Sequence, residues 1–165
     1  MLETSFPSPD HDHAQCLEAA VSRAKSVCKS KGIKFTHLRE QVFRSVAASH
    51  KAVGAYDIIE MLAQNGKKIA PISMYRILDA LSEIGLIHRL ESQNSYFACH
   101  SRHGADMNDC RSQVFLICKT CDTVVEIEAP EIGTAVKNAA ISAEFQLHEA
   151  LLEITGLCKH CSNNP

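Results

Sequence analysis

Apolar residues recur along the first half of the chain with a period near 3.6, the mark of helices that bury one face. Between residues 14 and about 31 they fall at Leu17, Ala20, Val21, Ala24, Val27 and Cys28, and Gly32 stands where a C-terminal stop belongs. Thr36 offers an N-cap to a second helix with Val42, Phe43, Val46 and Ala47 inward. Gly54 precedes a short third helix over residues 55–64, with Ile58, Ile59 and Leu62 facing in and Asn65-Gly66 ending it. Pro71 sits in the first turn of a fourth helix, where a missing N–H costs nothing. Met74, Ile77, Leu78 and Leu81 form its buried stripe, Ser73, Arg76, Ala80 and Glu83 its other face, and Gly85 closes it. Residues 86–90 and 96–99 then read as two strands around the turn Ser92-Gln93-Asn94. Short helices followed by a β-hairpin are the order of a winged helix-turn-helix.

The pattern changes after residue 99. A polar loop over 100–112 leads to an apolar strand at 114–117, a cysteine knuckle and a second strand at 124–127. Residues 130–141 suit a helix, and 147–154 a final strand before a second knuckle. The expected fold class is α+β: a winged-helix domain over 14–98 followed by a small α/β domain over 99–165. Residues 1–13 carry two prolines and mixed polar residues and read as a disordered tail, with His11 and His13 as part of a solvated end rather than as ligands.

Composition adds three constraints. The longest apolar runs among the 165 residues fall far short of a membrane span, and no basic-then-apolar segment opens the chain. A soluble, cytoplasmic protein without a membrane partner is expected. Net charge is −2, but residues 14–89 carry +6 and residues 90–165 carry −5. That asymmetry suggests one half that meets phosphates and another that does not. Finally, there are eight cysteines and nine histidines, with no signal peptide to favour a disulfide framework.

Four of the cysteines form two C-x-x-C knuckles, Cys118/Cys121 and Cys158/Cys161. Two intervening residues let both sulfurs of a knuckle point at one ion while turn N–H groups stabilise their charge. Four thiolates at about 2.3 Å satisfy tetrahedral Zn²⁺ and leave no open position, so the expected site is structural rather than catalytic. Two disulfides are the weaker alternative.

The run Ala70-Pro71-Ile72-Ser73-Met74-Tyr75-Arg76-Ile77-Leu78, followed by Gly85-Leu86-Ile87-His88, resembles the recognition helix and wing of the ferric uptake regulator family, and within it the branch that controls zinc uptake. Ala55-Tyr56-Asp57, the stretch from Ile87 to Ser92, the stretch from Asn94 to His100 and Gly156-Leu157-Cys158 support the resemblance, which runs from about residue 20 to 161. It implies a metal-dependent homodimeric transcription factor that binds palindromic double-stranded operator DNA, with one structural and one regulatory zinc per chain and no small-molecule substrate. Carried over by position, the regulatory ligands include His88, Cys99 and Glu126, with the remaining ligand open between His103 and Cys110, and His100 and Asp106 behind them. A thiolate with imidazole and carboxylate suits Zn²⁺ better than Fe²⁺ or Mn²⁺. One ion so held would bridge the two expected domains.

For DNA, Arg76 and Ser73 share the exposed face of the fourth helix, and arginine pairs bidentately with guanine. Tyr56 opens the third helix as a base or phosphate contact, and Tyr75 is expected to pack or to touch phosphate. Arg39 matches the arginine of the family's Thr-Pro-x-Arg segment, although His37 and Leu38 depart from that pattern. Lys31, Lys34, Arg44, Lys51, Lys67 and Lys68 are expected to add phosphate attraction. Two rivals stand beside the zinc-responsive repressor: a sensor of iron, manganese or peroxide from the same family, and a zinc enzyme, for which no general base accompanies the candidate ligands.

Overall fold

A computed structural model describes residue 6 and residues 12–99, 113–148 and 150–163. Contacts divide the chain into two units, one within residues 7–100 and the other within 101–165.

The first unit opens with α1 (His13–Ser30), whose N-cap is Asp12, its carboxylate accepting from the Gln15 N–H at 3.2 Å. The last two residues of the expected tail therefore belong to the first helix. The rest of that expectation, residues 1–11, lies outside the described residues apart from Phe6. Next comes α2 (His37–Ala47), capped by Thr36 as its sequence suggests, the hydroxyl accepting from the Arg39 N–H. α3 (Ala55–Gln64) and α4 (Pro71–Glu83) follow, and then the hairpin of β2 (Ile87–Leu90) and β3 (Ser95–Ala98). A two-residue strand, β1 (Val53–Gly54), pairs with the outer side of β3, giving the order β1-β3-β2. Two residues are too few to show alternation, so no sequence pattern announces β1.

One apolar core joins these elements, with Ala24, Val42, Ile58, Met74, Leu78 and Leu81 fully buried. Ile59 and Ile77, expected inward, pack on its margin. Cys28 belongs to the core as a small apolar residue, and burial pushes its thiol up. α4 ends where the sequence says it must. Gly85 adopts φ +75°, the Gly85 N–H donates to Ser82 O and the Leu86 N–H to Leu81 O, a Schellman closure that turns the chain into the hairpin. Outside the core, Arg44 of α2 bonds Glu18 of α1 at 2.6 Å and Glu40 at 3.1 Å, and Lys25 bonds Glu40 at 3.1 Å. The Arg44 hydrogen bond holds the Glu18 carboxyl below its ordinary range, and Lys25, then Arg44, do the same for Glu40. This tie between helices is present at neutral pH and is lost as pH falls through those lowered values.

In the second unit β4 (Gln113–Cys118) is the central strand of a sheet of order β5-β4-β6. β5 (Val124–Glu128) pairs with it antiparallel, and β6 (Leu151–Gly156) pairs parallel after the crossover helix α5 (Pro130–Ser142). β6 starts four residues later than its apolar pattern suggests. Its partner is the reason: Gln113 is the first residue of β4 and lies opposite Leu151. A five-residue helix, α6 (Lys159–Asn163), follows and has no period long enough to read from sequence. Val114, Phe115, Ile117 and Val124 are buried, whereas Ile141, Phe145, Ile154 and Leu157 are exposed within the single chain. Among the described residues no helix is long and apolar enough to cross a membrane.

Leu78 touches the core from the middle of α4 with no exposure. Leu78→Ala is expected to cost about 2–5 kcal/mol through lost burial and an unfilled cavity. Denaturant unfolding of the wild type and variant, followed by circular dichroism, measures it.

Candidate metal centre and nucleic-acid interface

The parallel pairing of β4 with β6 puts Cys118 opposite Gly156, two residues before Cys158. Lys119 N–H donates to Gly156 O at 2.9 Å and so extends that register into the first knuckle. Asp122, at φ 57°, turns the knuckle back so that the Cys118 N–H meets Thr123 O. On the other side α6 begins immediately after Cys158 and carries Cys161 on its first turn. The four cysteines thus converge, with Cys118 and Cys158 buried and Cys121 and Cys161 half-buried. Their sulfurs lie within 4.8 Å of one another.

Two tests of fit to zinc succeed. Sulfurs bound at about 2.3 Å to one tetrahedral ion are about 3.8 Å apart. Cys121 Sγ and Cys158 Sγ are 3.9 Å apart. Backbone donors are also in place: the Cys158 N–H donates to Cys118 Sγ at 3.4 Å and the Cys161 N–H to Cys158 Sγ at 3.5 Å. Without a cation the thiols divide. Backbone N–H groups of Cys158 and Cys121 lower the Cys118 thiol to about 6, whereas hydrogen bonding to Cys158, then burial, push Cys161 up to about 12. One sulfur ionises readily while a neighbour keeps its proton. A divalent cation removes that conflict, because each further thiolate is then attracted rather than repelled. Zinc bound by all four sulfurs would displace the remaining thiol protons of the cluster.

In the first unit His88 lies on β2 opposite Phe97, with ring centroids 5.6 Å apart. Cys99 directly follows β3, and its N–H donates to Leu86 O at 3.0 Å. Closing the hairpin brings an imidazole nitrogen of His88 and Cys99 Sγ within 4.8 Å. Glu126 belongs to the second unit, half-buried on β5 opposite Phe115. His100, His103, Asp106 and Cys110 lie outside the described residues.

On the helical face Ser73 and Arg76 are exposed on α4, beside Ile72 at 69 % exposure, and Tyr56 is 68 % exposed at the start of α3. Tyr75 is half-buried and packs on the core. Arg39 is half-buried, and its guanidinium donates to Lys34 O at 2.7 Å, which fixes the turn before α2. Three of the cations expected to face phosphate have local work. Arg44 is committed to Glu18 and Glu40, Lys67 bonds Gln41 and His37, and Lys31 Nζ reaches Ile84 O at 3.4 Å. Apart from Glu40, one helical turn before Arg44, their partners are distant in the sequence. Lys34, Lys51 and Lys68 remain exposed.

The family model of the ferric uptake regulators matches residues 30–155. The chain belongs to the ferric uptake regulator family. Members of that family are transcription regulators rather than enzymes. Among its relatives, the zinc uptake regulation protein of Escherichia coli K12 is 31 % identical over 141 residues, covering 86 % of this chain and 80 % of that one. The peroxide-responsive repressor PerR of Staphylococcus aureus is 24 % identical over 149 residues, covering 90 % and 96 %. A solved structure of a zinc uptake regulator complexed with zinc and DNA superimposes with a TM-score of 0.79 at 28 % identity, covering 89 % of this chain and 95 % of that chain.

The buried member of the second knuckle offers the direct check on the metal centre. Cys158→Ser is expected to abolish tight zinc retention and to melt the strands of the second unit, since binding energy there is folding energy. Metal content after gel filtration and far-ultraviolet circular dichroism record both effects.

Proposed function

We propose that the protein is a zinc-responsive repressor: a homodimer that, loaded with zinc, binds palindromic operator DNA and lowers expression of zinc-uptake genes. The observation that carries this reading is the pairing of the His88 imidazole with the Cys99 thiol at the base of the wing. A thiolate beside an imidazole favours zinc over iron or manganese. The likeness to the zinc uptake regulation protein points the same way.

Each chain would carry two zinc ions. Cys118, Cys121, Cys158 and Cys161 would hold the structural one. His88, Cys99 and Glu126 would hold the regulatory one, with His103 or Cys110 completing the set. Zinc at such a site acts by population shift, favouring the DNA-competent state by as much as it binds that state more tightly. Arg76 and Ser73 on α4 would read bases in the major groove, with Tyr56 contacting base or phosphate and Tyr75 supporting the helix from its buried side. Arg39 would contact DNA beside the exposed Lys34, Lys51 and Lys68, while its bond to Lys34 O fixes the turn before α2. Two-fold pairing of chains would cover apolar side chains such as Ile141, Phe145 and Ile154, which a single chain leaves in water.

Operator titration across buffered free zinc tests the reading. Affinity is expected to rise with zinc in the wild type and to stay flat in Cys99→Ser. Tightening by iron or manganese instead, or release of DNA on peroxide treatment, would assign the protein to another branch of the family. Arg76→Ala is expected to cost about 1–3 kcal/mol of operator binding and to relax the preference at one base pair, read from competition against substituted operators.

A further inference from the structure

A third group of side chains able to bind metal lies wholly within the first unit and shares no residue with the sites above. His13 and Cys16 stand three residues apart on the opening turn of α1, the spacing that puts two side chains on one helical face. His50 lies in the irregular stretch between α2 and β1. The fold brings them together: one ring nitrogen of each histidine and Cys16 Sγ lie within 4.8 Å of one another, all three side chains half-buried. The two imidazole rings meet edge to face, with centroids 5.0 Å apart and planes at 65°.

A backbone acceptor also holds one of the rings in place. His13 Nε2 lies 2.6 Å from the carbonyl oxygen of Ala48, two residues before His50. A carbonyl only accepts, so Nε2 carries the proton in this contact. Donation of the distal ring N–H to a backbone carbonyl is how metal-binding histidines are usually fixed in tautomer and orientation. Nδ1 itself is buried from solvent, and the Asp12 cap anchors the helix end that carries His13.

We propose that His13, Cys16 and His50 form a third zinc site. One thiolate and two imidazoles suit zinc in both softness and number, because three protein ligands leave the fourth tetrahedral position to water. Nitrogen and sulfur ligands of one tetrahedral zinc sit about 3.5 Å apart, so small rotations of these half-buried side chains within the 4.8 Å group close the site. Having three protein ligands and an open position, it exchanges metal more readily than the four-cysteine centre. Its occupation ties the start of α1 to the segment that feeds β1, the strand paired with β3 of the wing. Ligands from two segments 34 residues apart would brace the helical core against the hairpin when zinc is abundant.

Native mass spectrometry of the full chain in buffered zinc, with Cys99→Ser as the background, isolates this site from the regulatory one. The expected result is two zinc ions per chain in that background, and one after either Cys16→Ser or His50→Gln is added. Zinc is also expected to slow alkylation of Cys16 by iodoacetamide in the otherwise wild-type protein, and to lose that effect in His50→Gln. Unchanged stoichiometry in both double variants, or Cys16 alkylation indifferent to zinc, overturns the proposal. Neither outcome bears on operator binding by the zinc site at Cys99, which is scored separately by titration.

Discussion

The second unit depends on one parallel strand pairing. β4 and β6 are distant in sequence, and nothing local holds them together. Their register sets Cys118 beside Gly156 and hence one cysteine knuckle against the other. The resulting sulfur cluster has the spacing that suits a tetrahedral cation, with Cys121 Sγ and Cys158 Sγ 3.9 Å apart. Among its described residues this unit has a small buried set and several exposed apolar side chains, a modest core from which to offset chain entropy. Metal coordination at the four cysteines would supply what burial does not.

The first unit is held differently. Its helices and hairpin share a continuous apolar core to which α4 contributes one whole face. That commitment leaves the opposite face to Ser73 and Arg76. The same division explains Tyr75, whose ring is spent on the core, and the salt-bridged Arg44, whose charge is spent on α1. Positive charge counted along the chain therefore overstates what is presented outward. Lys34, Lys51 and Lys68 keep theirs at the surface.

Much of this was legible in the sequence because punctuation was explicit. Thr36, Pro71 and Gly85 mark ends that backbone chemistry permits few other residues to mark, and α2, α4 and the hairpin fall where they indicate. The two knuckles were legible because their ligands are close pairs. What escaped was either too short for a period, as with β1 and α6, or fixed by a partner strand, as with the start of β6. The His13, Cys16 and His50 group escaped for a third reason. His13 reads as the end of a polar tail, and His50 sits in an irregular segment, so only the packed fold joins them. Arg39 and Lys67 show the same blindness for polar contacts, since their partners are set by chain turns rather than composition.

The distance between the knuckles also orders events as the chain is made. All of the first unit has been synthesised by the time Cys118 is added, and its core needs no later residue. The second unit cannot close until Cys161 has left the ribosome, because half of its sulfur cluster and the strand that aligns it come last. Until then Cys118 and Cys121 are an exposed thiol pair on an unfinished sheet, open to oxidation and to stray metals. The winged-helix unit can thus fold before the second unit, whose sulfur cluster waits for the strand and knuckle that complete it.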